Sequence, residues 1–377
     1  MKVLHLISGG DGGGAKTHVI TLLKRLIKEG IDVELLCIME GIFTKEAKAE
    51  GIPIKIIQQN KRYSFKPILE IKKYISKGNY DLVHCHGARA NYIAFFIRKG
   101  LKMPFITTLH SDYKLDFKDS GYKQAIFMPI NAIALRKFKY ILTVTKSFKN
   151  MLIERGFDEK KLKVIYNGIN MQKDIKLIDK KDFLQAYNIE YNKDFVYIGI
   201  AARLQQVKGL KDFLQASKLL LKDNKNLMFL IAGSGVLEEN MKAYIKENNL
   251  EEKVKMLGFI EDIDSFYNVL DINVLTSYSE SFPYALLEGA RLKKPTIATQ
   301  VGGIPEMIKN NETGFLIKPH NSQDLKDKIN LLLEDKSLLY NFGERFYKYV
   351  YENFSDEKMA KTHIDIYKNI LKEENCE

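Results

Sequence analysis

The sequence predicts an α/β protein built from two doubly wound domains, and three observations support this fold class. Strand-like runs alternate with helical patterns along the whole chain, as in parallel sheets covered by helices. The length of 377 residues is too great for one typical core and suits two. A polar, Lys- and Asp-rich stretch at residues 170–192 has the character of an interdomain linker. We therefore expect Rossmann-like domains at 1–172 and 190–354 that face each other across a cleft.

Each half contributes its own series of predicted strands. In the first half, apolar runs predict strands near residues 2–7, 32–38, 54–57, 81–85, 104–109, 140–145 and 163–166. In the second half, they predict strands near 194–200, 227–232, 254–257, 271–275, 295–299 and 314–317, with helices from about 322 to the end. Ligands of doubly wound sheets bind at the carboxyl ends of the strands, so the motifs there indicate function.

The composition is that of a globular protein outside the membrane. Hydrophobic residues make up 45% and charged residues 28%, and no apolar run reaches membrane-spanning length. The N-terminus enters a strand directly, without space for a signal peptide, so we expect a cytoplasmic protein. Cys37, Cys85 and Cys376 show no CxxC spacing, which argues against disulfides and structural zinc.

The chain is strongly basic, with a net charge of +12 and a pI near 9.2. This charge would suit a polyanion or an anionic membrane, so a basic binding module for nucleic acid or membrane is one alternative. Only nine of the 59 basic residues are arginines, and lysine spread over many helices equally indicates compositional drift. We expect no nucleic-acid partner.

A glycine-rich loop, Gly9-Gly10-Asp11-Gly12-Gly13-Gly14-Ala15, follows the first strand. So many glycines indicate that the backbone approaches a ligand closely, and Gly10-x-Gly12-x-x-Ala15 satisfies the relaxed dinucleotide fingerprint. Glu40 after the second strand could bind the ribose. The motif therefore supports a second alternative, an NAD(P)-dependent enzyme, although a flexible turn explains the glycines as well.

Histidines occur at two predicted strand ends of the first half. His84-Cys85-His86-Gly87 lies where the fourth predicted strand ends, and His84 and His86 alternate onto one face, so one of them could simply be a packed core residue. His110 follows the fifth strand, where a neutral-pH proton donor or acceptor could act. No nearby acid or helically spaced histidine completes a metal site, so we expect none.

In the second half, two cations straddle the first strand-to-helix turn. Arg203 and Lys208 with the helix N-terminus could hold a diphosphate without a metal ion. An arginine in so lysine-rich a chain suggests that fork geometry matters. Gly233 and Gly302-Gly303 begin similar turns at the same predicted edge, whereas Asp262-Ile263-Asp264 reads as first-turn acids rather than a metal-binding DxD.

Glu280 and Glu288 flank the start of another predicted helix. Pro283 suits its first turn, which places Glu280 on the loop and Glu288 inside the helix. One carboxylate could meet a sugar ring and the other a ribose, while the N–H groups of Ser281 and Phe282 suit an anionic ligand. The alternative is a solvated or capping acid and an exposed helix residue.

Together, these motifs resemble the retaining family 4 glycosyltransferases of the GT-B fold. The resemblance spans the chain, in the family's order. Its pieces are the loop at 9–14, His110, Asn167-Gly168-Ile169, Arg203 with Lys208-Gly209, Glu280 with Glu288, and Gly302-Gly303-Ile304-Pro305-Glu306. It implies an acceptor-binding first domain and a nucleotide-sugar-binding second domain, with a helix at about 355–377 packing back on the first.

The resemblance implies a role for each matching residue. His110 would contact the transferred sugar near the reacting carbon, and Glu280 would position that sugar. The donor diphosphate would be bound by Arg203, Lys208, Gly12 and Gly13, and the nucleoside and sugar by Glu288, Ser281, Phe282, Pro283 and Gly233.

Four positions depart from the family's usual residues. Ser281 stands where Gly is frequent, Gly289 where Ala is frequent, Lys293-Lys294 where a Gly is common, and Asn170 where Asp often follows. None removes a charged group that the implied mechanism needs.

The implied enzyme is metal-independent and needs no cofactor. It would transfer a sugar with retention from a nucleoside-diphosphate sugar, with UDP favoured, to a glycan or lipid-linked acceptor of bacterial surface polysaccharide. Peripheral contact with the inner membrane face would fit its basic first domain. The NAD(P) enzyme and a GT-B nucleotide-sugar epimerase remain alternatives.

Overall fold

The computed structural model describes residues 1–10, 13–59, 64–114 and 121–376 and divides into two compact units. Unit 1 consists of Met1–Asn170 and Ser355–Glu377, and unit 2 of Met171–Phe354. Each unit has one sheet, of seven and six strands respectively. The predicted α/β class with doubly wound sheets is confirmed.

The strands follow the predicted positions in both units. Those of unit 1 are β1 (Lys2–Ile7), β2 (Asp32–Cys37), β3 (Ile54–Ile56), β4 (Leu82–His86), β5 (Phe105–Leu109), β6 (Tyr140–Thr143) and β7 (Leu162–Val164). Those of unit 2 are β8 (Val196–Ala201), β9 (Leu227–Ala232), β10 (Val254–Gly258), β11 (Ile272–Leu275), β12 (Thr296–Thr299) and β13 (Phe315–Ile317). Boundaries differ from the predictions by one or two residues at several ends.

Both sheets have the strand order of a dinucleotide-type fold. The orders are β3-β2-β1-β4-β5-β6-β7 and β10-β9-β8-β11-β12-β13, and the described strands pair in parallel throughout. Chain direction across the sheet reverses between β1 and β4 and between β8 and β11. Such switch points leave a crevice at the carboxyl ends of the strands, where ligands bind.

Helices cover the sheets, as continuous apolar strands such as the fully buried β9 require. They are α1 (Gly14–Lys28), α2 (Ile42–Ala49), α3 (Phe65–Lys77), α4 (Gly87–Ile97), α5 (Gly121–Arg136), α6 (Lys146–Glu154), α7 (Lys180–Ala186), α8 (Leu210–Asp223), α9 (Glu238–Glu247), α10 (Ile263–Val269), α11 (Tyr284–Arg291), α12 (Ile304–Met307), α13 (Ser322–Glu334), α14 (Lys336–Phe354) and α15 (Asp356–Cys376). A short 3₁₀ helix, Gln206–Lys208, precedes α8.

The stretch at residues 170–192 is more than the expected linker. It contains α7, and Phe183, Leu184 and Ile189 are buried in the core of unit 2 against α10. Two of these residues, Phe183 and Leu184, belong to α7 and anchor this short helix on unit 2. Unit 2 therefore begins at Met171, before the predicted start at 190.

Helix α15 completes the core of unit 1. Met359, Ala360, Tyr367 and Ile370 are buried in the cluster formed by β1, β2 and α1. Where α15 begins, the N–H of Asp356 donates to the carbonyl of Ile169 at 3.0 Å. The end of the chain is therefore structurally part of the first unit.

We expect Tyr367→Ala to destabilise unit 1 by about 3–5 kcal/mol, because it leaves a cavity in a fully buried site. Urea unfolding monitored by circular dichroism would measure the loss. Tyr351→Ala is the matched control in α14, where the side chain is 41% exposed, and it should cost less than about 1 kcal/mol. Equal losses in both variants would contradict the packing of α15 described above.

Candidate active site

Four loops of unit 2 leave the carboxyl edge of its sheet beside the switch point. They follow β8, β9, β11 and β12 and carry Arg203, Gly233, Glu280 and Gly302. The parallel pairing of these strands brings the loops to the same edge, as the sequence predicted. This edge is the candidate donor site.

Glycines allow these loops to stack closely. A Cβ atom would lie 2.0 Å from the Thr276 carbonyl oxygen at Gly209, 1.9 Å from that of Ala202 at Gly233, and 1.7 Å from that of Glu280 at Gly302. All three glycines also have positive φ values. Gly233 and Gly302 thus have a definite packing function in the structure, which brings neighbouring loops within backbone contact.

Lys208 and Glu280 form an ion pair between two of the loops. Lys208 Nζ donates to Glu280 Oε1 at 2.5 Å, and Ser277 Oγ donates to the same oxygen at 2.7 Å. The two charged side chains are only 15% and 9% exposed. Glu280 is therefore not the solvated acid of the alternative interpretation. Ser277 was not predicted as a site residue, because no pattern in the sequence distinguishes it from other serines.

Unlike Lys208, Arg203 does not form an ion pair among the described residues. It is exposed, and among the described residues its guanidinium takes part in no hydrogen bond or ion pair. Its main chain is fixed by the neighbouring loop, because the N–H of Ala202 donates to Ala232 at 2.9 Å and that of Leu204 to Ser234 at 2.9 Å. A fixed backbone with an uncommitted cation suits an anionic ligand.

The segment between the two glutamates is anchored by an aromatic side chain. Phe282 is buried and packs edge to face on Phe354 with ring centroids 5.1 Å apart. Pro283 occupies the N-cap position, so α11 begins at Tyr284, one residue later than predicted. Ser281 is half-buried in the same loop.

Glu288 lies on α11 and is half-buried, not the exposed helix residue of the alternative interpretation. Burial raises its pKa to about 7, with Arg291 opposing the rise and Asp264 adding to it. Burial and the Glu288 charge also raise the pKa of Tyr267 and Tyr284, so both remain hydroxyl donors near this carboxylate. Glu288 therefore changes charge near neutral pH.

The Asp262-Ile263-Asp264 triplet is structural. Asp262 caps α10 by accepting from the N–H of Ser265 at 3.1 Å. Asp264 is buried and pairs with Lys173 at 2.8 Å and with Arg291. Asp264 thus adds a buried ion-pair network to the predicted first-turn role.

Only part of the Gly-rich loop of unit 1 belongs to the described residues. Gly13 is the N-cap of α1 and is exposed, whereas Gly12 lies outside the described residues. Gly9 has φ 90°, and a Cβ there would lie 2.2 Å from the Met39 carbonyl oxygen. Glu40, the alternative ribose acid, is 57% exposed and 4.0 Å from Lys48.

Six of the seven histidines converge in unit 1: His5, His18, His84, His86, His110 and His363. His84 and His86 do share a face, with ring centroids 4.3 Å apart. Nδ1 of His86 lies 3.3 Å from Nε2 of His110, and Nε2 of His86 lies 3.0 Å from Nδ1 of His5. We call these six residues the histidine cluster.

Half of this cluster could not be predicted from the sequence. His5 on β1, His18 on α1 and His363 on α15 carry no spacing signal that links them to His86 or His110. Their convergence depends on strand order and on the return of the final helix.

Burial holds these imidazoles neutral. It lowers the pKa of His5 to about 3 and those of His110 and His363 to about 4, with a further lowering of His5 and His110 by His363. His18, His84 and His86 are lowered as well, by burial first and by neighbouring histidines second. At neutral pH, His110 is therefore a neutral hydrogen-bonding group.

The fold and site together define a class, the two-domain α/β proteins of GT-B architecture. Residues 182–352 match the family model of glycosyl transferases group 1, and residues 12–173 match that of glycosyltransferase family 4. The two matches together cover most of the chain. The chain belongs to this family of glycosyltransferases and is a transferase enzyme.

Similar proteins include two bacterial enzymes. N-acetyl-alpha-D-glucosaminyl L-malate synthase of Bacillus anthracis is 28% identical over 78% of this chain and 76% of its own. The N,N'-diacetylbacillosaminyl-diphospho-undecaprenol alpha-1,3-N-acetylgalactosaminyltransferase of Campylobacter jejuni is 26% identical over 96% and 97%. The crystal structure of Anabaena HepE in complex with UDP superposes with a TM-score of 0.85 at 20% identity, covering 98% of this chain and 100% of that one.

Among the described residues, no helix is both long enough and apolar enough to cross a membrane.

We expect Gly302→Ala to destabilise unit 2 by at least about 3 kcal/mol, because its Cβ would collide with the Glu280 carbonyl in addition to the cost of positive φ. Gly258→Ala is the control, since Gly258 has φ +71° and open space around the added atom. It should cost only about 1–2 kcal/mol. Urea unfolding of both variants checks this, and equal losses would contradict the close loop packing.

We expect the stability of unit 1 to fall as the pH drops from 6.5 towards 4. Each cluster histidine binds a proton more readily when unfolded, so stability is lost over this window by up to about 1.4 kcal/mol per pH unit per histidine. Urea unfolding in EDTA between pH 7 and pH 4.5 measures the slope. His363→Gln should flatten it, whereas replacing the exposed His320 of unit 2 should not. A slope unchanged by His363→Gln would contradict the neutral cluster.

Proposed function

We propose that the chain is a retaining, metal-independent glycosyltransferase that uses a nucleoside-diphosphate sugar, with UDP as the favoured nucleotide. The observation that carries this proposal is the edge of unit 2, whose loops carry exposed Arg203 and the largely buried Lys208–Glu280 ion pair, with half-buried Glu288 on the helix that follows. In a bound nucleotide sugar, Arg203 and Lys208 would suit the diphosphate, Glu280 the sugar and Glu288 the ribose.

The two cations would act on the leaving group. A nucleoside diphosphate gains charge as the glycosidic bond breaks, and preformed positive charge stabilises that state most. Arg203 offers a fork of donors that can bind two phosphate oxygens. Lys208 commits one N–H to Glu280 and keeps the others for phosphate.

Glu280 would orient the sugar. Its Oε1 is held by Lys208 and Ser277, which leaves Oε2 as an acceptor for a sugar hydroxyl. Because one carboxylate oxygen is already occupied by Lys208 and Ser277, we assign Glu280 the role of positioning the donor. Contact of His110 with the transferred sugar, and the approach of Gly12 and Gly13 to phosphate and acceptor, stay predictions.

The similar proteins support the acceptor and donor classes. The HepE structure contains UDP, and the Campylobacter jejuni relative carries a lipid-linked diphospho-undecaprenol acceptor in its name. We propose a glycan or lipid-linked acceptor in polysaccharide biosynthesis, a cytoplasmic location and peripheral contact with the membrane. Family membership and the packing role of Gly9 give no support to the NAD(P) alternative.

Nucleotide binding tests the proposal. UDP should bind the wild-type chain in isothermal titration, and Arg203→Ala should weaken it by roughly 10–100-fold, as expected for a charge-assisted hydrogen bond. Arg345→Ala, another exposed arginine of unit 2, should leave the affinity unchanged. If neither UDP nor GDP binds at millimolar concentration, the proposal is wrong.

The pH dependence of binding tests Glu288. With a pKa of about 7, its carboxylate is mostly ionised at pH 8 and mostly neutral at pH 6, so ribose binding should weaken about tenfold between them. The pH dependence should flatten in Glu288→Gln, which separates it from titration of the nucleotide. Analysis of products from a UDP-sugar then separates transfer from the epimerase alternative.

A further inference from the structure

Three members of the histidine cluster meet at one place in unit 1. His18 comes from α1, His86 from the end of β4 and His110 from the residue after β5. One ring nitrogen of each lies within 4.8 Å of those of the other two. His18 and His86 are buried, whereas His110 is half-buried and gives the group access to solvent.

Hydrogen bonds indicate which nitrogens face each other. Nδ1 of His86 and Nε2 of His110 are 3.3 Å apart, close to the separation of about 3.3 Å between two nitrogens on a tetrahedral zinc ion. Nδ1 of His18 lies 2.9 Å from Oδ1 of Asn167, so its remaining nitrogen is Nε2. That Nε2 is buried and has no partner among the described residues.

The other nitrogens of two of these histidines are held as in metal sites. His18 can donate Nδ1–H to the Asn167 carbonyl oxygen, which leaves a lone pair on Nε2. His86 can donate Nε2–H to Nδ1 of His5 at 3.0 Å, which leaves a lone pair on Nδ1. Metal-binding histidines are usually fixed in this manner by a second partner.

A second set, His5, His84 and His86, also has close nitrogens. However, both nitrogens of His84 are already engaged, Nδ1 with the Tyr367 hydroxyl at 2.6 Å and Nε2 with the Thr108 hydroxyl at 2.7 Å. Metal binding there would break one of these bonds. In contrast, a metal ion bound by His18, His86 and His110 would replace only the contact between His86 and His110.

We infer that His18, His86 and His110 form a binding site for one divalent transition-metal ion of the zinc type, with water as the fourth ligand. Three neutral imidazoles suit zinc, cobalt, nickel or copper and disfavour magnesium, which prefers oxygen ligands. The proposed transfer reaction does not require this ion. Because it occupies His110, it inhibits that reaction, a consequence that depends on the proposed function.

Direct metal binding tests the site without any activity assay. The full chain, stripped with EDTA and carrying Cys376→Ser to remove an exposed thiol, is titrated with Co²⁺ and Zn²⁺. We expect one ion per chain, a tetrahedral cobalt spectrum and displacement of cobalt by zinc. Magnesium should not compete.

Variants locate the ion within the cluster. His18→Gln should abolish the cobalt spectrum, and Asn167→Ala should weaken binding by roughly 10–100-fold, because it releases His18 without removing a ligand. His363→Gln is the matched control, since His363 is buried in the cluster but belongs to neither set. It should bind cobalt like the parent, and circular dichroism confirms that each variant is folded.

Each result decides the inference. Loss of binding in His18→Gln with retention in His84→Gln and His363→Gln supports it. Absence of a tetrahedral spectrum, retention in His18→Gln and Asn167→Ala, or loss in His84→Gln alone overturns it. Zinc inhibition reversed by EDTA tests the consequence for transfer, and its failure leaves the binding result standing.

Discussion

The largely buried ion pair between Lys208 and Glu280 is the interaction on which the donor edge of unit 2 depends. The two charged side chains are largely shielded from water, so each needs the other in place. Loss of one partner would leave the other charge uncompensated and would destabilise the fold. Their loops must therefore approach at a fixed distance, and Gly209 and Gly302 make that approach sterically possible. At this edge, the position of the two charges therefore depends on the backbone conformation of the glycines beside them.

Much of the fold could be predicted because its signals are local. Buried parallel strands such as β9 are continuous apolar runs, and their alternation with helical patterns fixes the class. The short helix α7 escaped because only a few apolar residues mark it within a polar segment. At the donor edge, the charged residues could be predicted because they lie in turns between strands and helices. Ser277 could not, because its role depends on the direction that the Glu280 side chain takes in the folded loop.

Two departures from the family's usual residues have a physical explanation. A Cβ at Gly289 would lie 2.6 Å from the Asn273 side chain, so the glycine compensates for a larger residue on β11. Lys293 has φ 56°, the left-handed conformation in which glycine is common, and it pairs with Glu344 at 2.8 Å. The ion pair and a nearby Tyr347 ring offset part of the strain that a glycine would avoid.

The polar groups that are removed from water at the two sites are compensated in different ways. Unit 2 pairs opposite charges, whereas unit 1 buries imidazoles that stay neutral, and a neutral imidazole has one donor and one acceptor nitrogen. In the row His5, His86, His110, the tautomer of one ring therefore fixes the others, and two directions of donation are open. A metal ion on Nδ1 of His86 and Nε2 of His110 permits only one of them, in which His86 donates to His5. The ion would thus set this row of three histidines in a single tautomeric state.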